Sequence, residues 1–592
     1  MSDGPHQQQQ QFMLAPSEVC VDEGLAAVAS ANPGFVYIPE HRVVVERGWM
    51  VKDDDGGRRK VAMVCGGGSG HEPFAAGFVG EGMLSAAVAG SVFTSPPPTA
   101  VATAITAVGK DNPEGVLVLT MNYTGDRLNF GLAVERCRAA GMKVAMYVSG
   151  DDCALTQLEG TAGRRGLCGT LFIMKIVGAM FHAGASLDEG LATCRRLSDA
   201  IGTIGVATSG CTLPGSSSPL FTVAEGTMEL GLGVHGETGA ATVKSGSAKE
   251  VVKTLLTHLT RADSSTRLPL QEGDQVAVIV NNLGCLSQLE MCNLTKEVVA
   301  QLGERRLKVL RVYPGSLMTS LDMRGVHVAV LRLLDPAWLC HLDARTTAPA
   351  WPSPCLLEDA PAGEIHLPDL RLTARQENLE SSYTLDADHA RKLQSCIEAV
   401  LTEMPKHEES LNALDAGCGD GDCGSTLTHG ISALSRQMAS LLYTEPSKVL
   451  SVVADVAANS MGGTCGGLYS IFFTAAAAHT GLQPRVSQRR TWATGLRAGT
   501  SAIMEYGGAT QGDRTMLDAL VPALEALEAG DDDQDLRTLL KAMAAAADEG
   551  AKKTARMRAR AGRASYVRSE NVRGEDPGAR AVAHLLQAMA RY

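Results

Sequence analysis

The hydrophobic pattern of this chain changes period once, and that change limits the folds open to it. Up to about residue 343, short β-rich apolar runs alternate with Ala-rich helical stretches; the runs are VAMV (61–64), GVLVLTM (115–121), KVAMYV (143–148), QVAVIV (275–280), LKVLRV (307–312) and VHVAVLRL (326–333). That rhythm predicts α/β units with largely parallel sheets. From about 385 onward strand-like runs almost vanish, and stretches such as PSKVLSVVADVAANSMGG and DLRTLLKAMAAAADEGAKKTARM take over. An all-helical bundle or barrel of about eight helices is expected there. Between the two, residues 344–384 combine proline, small residues and charge without a sustained period, which reads as an interdomain linker. The expected layout is a flexible leader at 1–15, an α/β region at 16–343 with subdomains of about 16–195 and 196–343, the linker, and a helical domain at 385–592. A chain of 592 residues is too long for one core, so a multidomain protein is required.

Composition excludes several classes of function. A formal charge of −12 argues against nucleic-acid binding, which rests on clustered Lys and Arg. The fifteen cysteines are scattered with no C-x-x-C pair, and the polar PHQQQQQF near the start is not a secretory leader. Reduced thiols and a cytoplasmic location are expected. Apolar runs such as GTLFIMKIVGAM (169–180) carry a lysine and fall short of the roughly twenty residues a membrane span needs. No membrane association is expected.

The segment LDAGCGDGDCGSTLTHG (414–430) brings Asp415, Asp420 and Asp422 together in a glycine-rich turn entering a helix. Carboxylates this close repel one another, and a hard divalent cation relieves the conflict. Mg²⁺ suits a few carboxylates with phosphate oxygens and water; an EF-hand Ca²⁺ loop needs Glu at position twelve, and counting from Asp420 gives Ile431. Cys423, Gly424, Ser425 and Thr426 then open a helix whose N-terminal amides attract phosphate. Similar small-residue turns occur at MGGTCGGLYSIFF (461–473), at YGGATQGDRTMLD (506–518) with Arg514, and at GRASYVRSENVRGEDPGAR (562–580) with Arg563 and the turn Asp576–Pro577–Gly578. No Walker lysine motif is present, and the glycine run at 66–70 is not a dinucleotide fingerprint because His71 stands at its last glycine position. Any ATP site here must be built from metal and helix termini.

Three residues in the first half carry candidate chemistry. His235 lies in ELGLGVHGETG (229–239) and serves either as a structural hydrogen-bonder or as a reagent. His71 follows the glycine run CGGGSG, and Asp126 closes NYTGD; on the residues alone these read equally as a helix-start hydrogen-bonder and a turn-forming Asp.

Over nearly its full length the chain resembles the single-chain, ATP-dependent dihydroxyacetone kinases, also called glycerone kinases or triokinases. The resemblance rests on CGGGSGHEP, GSVFTSP, NYTGDRLNFGLA, RRGLCGT, ELGLGVHGETG, VNNLG, LDAGCGDGDCGST, MGGTCGGLY, GDRTMLD, GRASY and DPGA, in that order on both sides of the linker. It implies a ketose-binding α/β half in which His235 forms a covalent hemiaminal with dihydroxyacetone. It further implies that Asp126 accepts the substrate hydroxyl proton, that His71 hydrogen-bonds the substrate, and that Gly68, Ser69 and Gly70 contact it. In the helical half it implies Mg²⁺ on Asp415, Asp420 and Asp422, and ATP against Cys423 to Thr426, Thr464, Cys465, Gly507, Arg514, Arg563 and the turn Asp576–Pro577–Gly578.

A homodimer, action on D-glyceraldehyde and cyclisation of FAD to cyclic FMN as a side activity are further expectations of the family. The sequence departs from the family pattern at Met121, where a substrate-contacting Lys is expected before NYTGD, and at Phe74 and Ala75, where a small residue and a histidine are usual. A non-catalytic triose sensor is the competing reading of that loss.

Overall fold

The computed structural model describes residues 19–50, 60–157, 163–353, 355–356, 383–417, 419–481, 487–566 and 574–591. The leader expected at 1–15 and residues 354 and 357–382 of the expected linker lie outside them. Two compact units form, one up to Glu364 and the other from Ile365.

The first unit is built on strands whose residues alternate between two buried faces. In the strand Ala62–Ser69, Ala62 and Val64 point to one apolar cluster while Met63 and Cys65 point to another, as the two-residue period of a strand requires. Its sheet has six strands in the order Phe35–Ile38, Val43–Glu46, Ala86–Val92, Ala62–Ser69, Val116–Met121, Val144–Ser149. The last four are mutually parallel, and the first two join antiparallel. Helices Pro98–Gly109 and Thr124–Ala139 cover the outer face through Val101, Ile105 and Phe130.

The second sheet has seven strands, Cys355–Leu356, Lys308–Gly315, Gln275–Asn282, Gly325–Arg332, Ile201–Ala207, Thr227–Leu230 and Ala241–Lys244. Here the expectation of largely parallel pairing is corrected: only Gln275–Asn282 and Lys308–Gly315 run parallel. That pair is the one joined by a helical crossover, Gln288–Glu304. Strand–helix alternation constrains the direction of consecutive strands, and the remaining neighbours either are distant in sequence or turn back directly. The two sheets share one core. Helix Thr170–His182, buried on nearly every side, packs with Met63, Leu117 and Leu119 of the first sheet and with Ala277, Ile279 and Ala329 of the second.

In the second unit nine α-helices lie among the described residues, from Ala387–Glu403 to Pro577–Met589. Glu408–Asp415, Cys423–Ser435, Pro446–Ser460, Gly463–Thr480, Gln488–Gly507, Leu517–Glu528 and Leu536–Thr554 each pack on the next, and Pro577–Met589 returns to Ala387–Glu403, closing a ring. Small residues make the closure possible. A β-carbon at Gly550 would stand 2.0 Å from the Asp518 carbonyl oxygen, and one at Gly499 would stand 2.7 Å from that of Phe472. Among the described residues no helix is long and apolar enough to cross a membrane.

Candidate active site

In the first unit the strand Ala62–Ser69 runs out into a glycine-rich end because its parallel neighbour crowds it: a β-carbon at Gly66 would lie 2.0 Å from the Val88 oxygen. The turn that follows buries His71 at 4% exposure. Nδ1 of His71 lies 2.9 Å from the Thr319 carbonyl oxygen, which only accepts, so Nδ1 carries the hydrogen and Nε2 presents a lone pair. Nε2 is buried with no hydrogen-bond partner. Burial, assisted by neighbouring His235, depresses this imidazole to about 3, so it is neutral at physiological pH.

His235 sits in the loop between strands Thr227–Leu230 and Ala241–Lys244. Three rings meet it nearly at right angles: Tyr123 at 4.6 Å, His71 at 4.9 Å and Phe93 at 5.5 Å between centroids. Burial lowers its pKa, with Glu237 opposing and Arg165 assisting, which favours the uncharged, nucleophilic form.

Asp126 occupies the first turn of helix Thr124–Ala139, three residues beyond Tyr123. Burial raises its carboxyl to about 6 against the pull of the Ser95 hydroxyl, and Oδ1 is buried without a hydrogen bond. A carboxylate of that strength is suited to accept a proton near neutral pH.

The expected contacts at 68–70 are largely committed elsewhere. The Ser69 hydroxyl donates to the Gly90 oxygen at 2.8 Å, and the Gly70 amide donates to the Glu72 carboxylate at 3.0 Å. Gly68 is pressed against the next loop, where a β-carbon would lie 2.7 Å from the Thr94 nitrogen. Met121, 4% exposed, ends its strand in the same apolar cluster as Phe74 and Leu167. Met121, Phe74 and Ala75 thus all belong to the large apolar core of this unit. Tyr123, Phe93, Ser95, Arg165 and Glu237 were not singled out as site residues from the sequence. All five lie inside the quoted motifs; Glu237 meets the His235 amide locally, two residues on, whereas Tyr123 and Phe93 reach the ring from distant segments and leave no spacing signal.

In the second unit, Asp415, Asp420 and Asp422 each offer a carboxylate oxygen within 4.8 Å of the others. Asp415 ends helix Glu408–Asp415 and folds the turn around itself: one oxygen accepts from the amides of Gly421 and Asp422, each at 3.0 Å. Gly421 takes φ of +76°, and a β-carbon at Gly419 would lie 2.3 Å from Asp415 Oδ1. Hard, clustered oxygen donors fit Mg²⁺.

The helix Cys423–Ser435 differs from expectation in one respect. The Gly424 and Ser425 amides are not free for phosphate, because Asn412 Oδ1 accepts them at 2.7 and 3.1 Å; Asn412 also donates to the Ser425 hydroxyl at 2.9 Å. A side chain reaching across from the preceding helix cannot be inferred from the local motif. Thr426 donates its amide to the Asp422 main-chain carbonyl, an ordinary first helical bond. Thr464 is exposed at the start of helix Gly463–Thr480, which has no side-chain cap, so its first amides remain candidates for an anion. A hydrogen bond to the Cys465 thiol, together with burial, holds the Cys423 thiol far above its usual range.

Gly507 closes helix Gln488–Gly507. Arg514, with φ of +62° and 1% exposed, donates from Nη2 to the Gly574 oxygen at 3.1 Å. Its Nη1 is buried without a hydrogen bond, 3.8 Å from Asp576 Oδ1. Asp576 caps helix Pro577–Met589 through Ala579 at 2.8 Å, with burial raising its carboxyl to about 6. Gly578 is tight against Asp576 and Met516. The Arg563 side chain lies outside the described residues. Two residues escaped sequence reading here: Tyr469, whose buried hydroxyl has no hydrogen-bond partner, and Asp518, whose carboxylate ties the Gly512 and Thr515 amides at 2.6 and 2.9 Å.

Comparison with known proteins covers both units. Residues 26–350 match the Dak1 domain and 417–591 the DAK2 domain. Triokinase/FMN cyclase of Homo sapiens is 39% identical over 96% of this chain and 97% of its own length. The crystal structure of the dihydroxyacetone kinase from C. freundii in complex with AMP-PNP and Mg²⁺ superposes with a TM-score of 0.66 at 32% identity, covering 98% of this chain and 99% of that one. The dihydroxyacetone kinase operon co-activator DhaQ superposes with a TM-score of 0.51 at 31% identity, and 98% of that chain is matched by 56% of this one.

Proposed function

The chain belongs to the family that joins a Dak1 domain to a DAK2 domain, the dihydroxyacetone kinases and triokinases, and from that premise we propose that it phosphorylates dihydroxyacetone at the expense of ATP. Residues 16–343 form the triose half and 385–592 the nucleotide half. The observation that carries the reading is the imidazole of His235 boxed by His71, Phe93 and Tyr123, with His71 Nε2 buried and unpartnered; Asp126, three residues beyond Tyr123, carries a second buried, unpartnered atom, Oδ1. Buried polar atoms without partners are rare in a protein used only as a scaffold, and these match a small polyol.

The neutral His235 ring attacks the carbonyl carbon of dihydroxyacetone. A nitrogen–carbon bond forms, the π pair moves to oxygen, oxygen gains a proton, and the other ring nitrogen gives one up. The resulting hemiaminal fixes the triose, converting transfer into a positioned reaction. His71 Nε2 accepts a hydrogen bond from the substrate, and Asp126 takes the proton of the terminal hydroxyl as its oxygen bonds to the γ-phosphorus and the bond to ADP breaks. Asp415, Asp420 and Asp422 would hold Mg²⁺, whose charge offsets that of the phosphate oxygens. The nucleotide contacts proposed are Thr464 and Cys465, Gly507, Arg514, Arg563 and Asp576–Gly578. Cys423 to Thr426 shape the turn, and the phosphate-binding amides are those opening helix Gly463–Thr480.

D-glyceraldehyde is a second acceptor in this reading, and the name of the human relative favours FMN cyclase as an additional activity. The carboxylate triad weighs against a non-catalytic sensor, which has no use for a metal–phosphate site. A homodimer in the cytoplasm completes the proposal. The test is ADP release from MgATP with dihydroxyacetone, D-glyceraldehyde or glycerol, in the native chain and His235→Ala. Turnover of the carbonyl substrates alone, lost in His235→Ala, is expected; equal turnover of glycerol would refute covalent capture.

A further inference from the structure

Residues 231–240 carry His235 on a loop rich in glycine, with Gly231 and Gly236 at φ of +78° and +75°. A nucleophile on so pliable a backbone needs something to fix it. We propose that Arg165 and Glu237 are positioning residues for His235, a two-residue clamp that sets where its imidazole stands; the proposal rests on the reading of His235 as the nucleophile.

The guanidinium of Arg165 makes three separate bonds. Nη2 donates to the Gly231 oxygen at 2.7 Å, where the loop begins. Nη1 donates to Glu237 Oε1 at 3.0 Å, near its far side. Nε donates at 2.7 Å to Asp152, itself 5% exposed and anchored through the Ala154 amide at 2.8 Å. The second oxygen of Glu237 accepts the main-chain N–H of His235 at 2.9 Å. Both sides of the loop and the amide of the nucleophile therefore hang from one planar fork, a geometry lysine cannot reproduce.

The glycines fit this role. A β-carbon at Gly233 would lie 1.8 Å from Glu237 Oε1, and one at Gly236 would lie 2.2 Å from the Leu220 side chain. Gly233 makes room for the carboxylate, so its bareness serves the clamp as well as substrate access.

The pair also brackets the imidazole electrically, Glu237 favouring its protonated form and Arg165 disfavouring it. The other groups around the ring are His71 after the first-sheet strand and Tyr123 at the head of its helix, while Cys211 lies against Gly236. Removing one partner of the clamp shifts His235 one way, and removing the other shifts it the opposite way. Charge alone produces these shifts, so the positioning itself is read from capture and kcat.

The experiment uses the full chain as native protein, His235→Ala, Glu237→Gln, Glu237→Ala and Arg165→Gln. Capture is read without ATP from the carbonyl ¹³C resonance of [2-¹³C]dihydroxyacetone, and protonation of His235 from ¹³Cε1-histidine-labelled protein, assigned by its loss in His235→Ala. Glu237→Ala and Arg165→Gln should lower kcat about a hundredfold, the scale of a misplacement near 1 Å, with KM for MgATP unchanged. The His235 titration should move down in pH in Glu237→Gln and up in Arg165→Gln. Native-like capture and turnover in these variants, with His235→Ala inactive, would overturn the clamp and leave the nucleophile standing. Loss of capture in Glu237→Gln together with MgATP affinity and thermal stability would overturn it too, the pair being then a strut. Capture persisting in His235→Ala would instead remove the nucleophile, and the clamp with it.

Discussion

Nδ1 of His71 is hydrogen-bonded to the main-chain carbonyl of Thr319, and this one contact decides which ring nitrogen keeps its lone pair. With Nδ1 as donor, Nε2 is an acceptor only. His71→Gln should lower kcat for dihydroxyacetone while leaving the acid limb of the pH–rate profile in place, because a group depressed to about 3 does not titrate in the working range. Steady-state kinetics between pH 5 and 9 check this; a displaced limb would show that His71 itself carries the titrating proton.

Asp126 supplies a pH prediction and a stability prediction of definite sign. Turnover should fall as pH drops through about 6, where its carboxylate is protonated. For stability, the folded group binds its proton more tightly than the unfolded one. Stability therefore declines as pH rises from the ordinary carboxylate range to about 6, and the penalty is full above that. Asp126→Asn should be inactive yet more stable at pH 8 by roughly 1–3 kcal/mol, with the gain disappearing near pH 4. Denaturant unfolding at the two pH values measures it.

Asp420→Asn should raise the Mg²⁺ concentration needed for half-maximal rate, by roughly ten- to a hundredfold. Asp415→Asn should do more, since the same side chain holds the Gly421 and Asp422 amides. Mg²⁺ titration of ADP release checks the order; equal effects would mean the turn holds its shape without Asp415.

Met121→Lys should reduce thermal stability without raising turnover, because an ammonium there would be buried in the apolar cluster that includes Phe74 and Leu167. Melting temperature and kcat on dihydroxyacetone test it. A large gain in rate would revive the sensor reading.

Gly550→Ala should cost about 1–3 kcal/mol through overpacking against the Asp518 carbonyl. The same substitution should weaken nucleotide binding, since Asp518 ties the turn leading to Arg514. Calorimetry with a non-hydrolysable ATP analogue reads both effects.

Much of this was legible in the chain because it is written locally. The strand ending at Met121 is a short apolar run, the helix from Leu536 to Thr554 follows its hydrophobic period, and Asp415, Asp420 and Asp422 fall within one short turn. The antiparallel run of Gly325–Arg332 beside Ile201–Ala207 was not, since those strands are far apart in sequence. Nor was Asn412 taking the amides of Gly424 and Ser425, nor Arg165 reaching Glu237: each depends on a side chain crossing space that no motif spans.

The closed ring of helices carries a consequence for how this half of the molecule is made. Its final stave, Pro577–Met589, rests on its first, Ala387–Glu403, and Arg591 pairs with Glu403 at a separation of 188 residues. Nothing shorter than the span from Ala387 to Met589 can shut the circle, so synthesis must pass Met589 before the barrel exists as a barrel. A chain stopped before Pro577 would leave a slot along the entire wall.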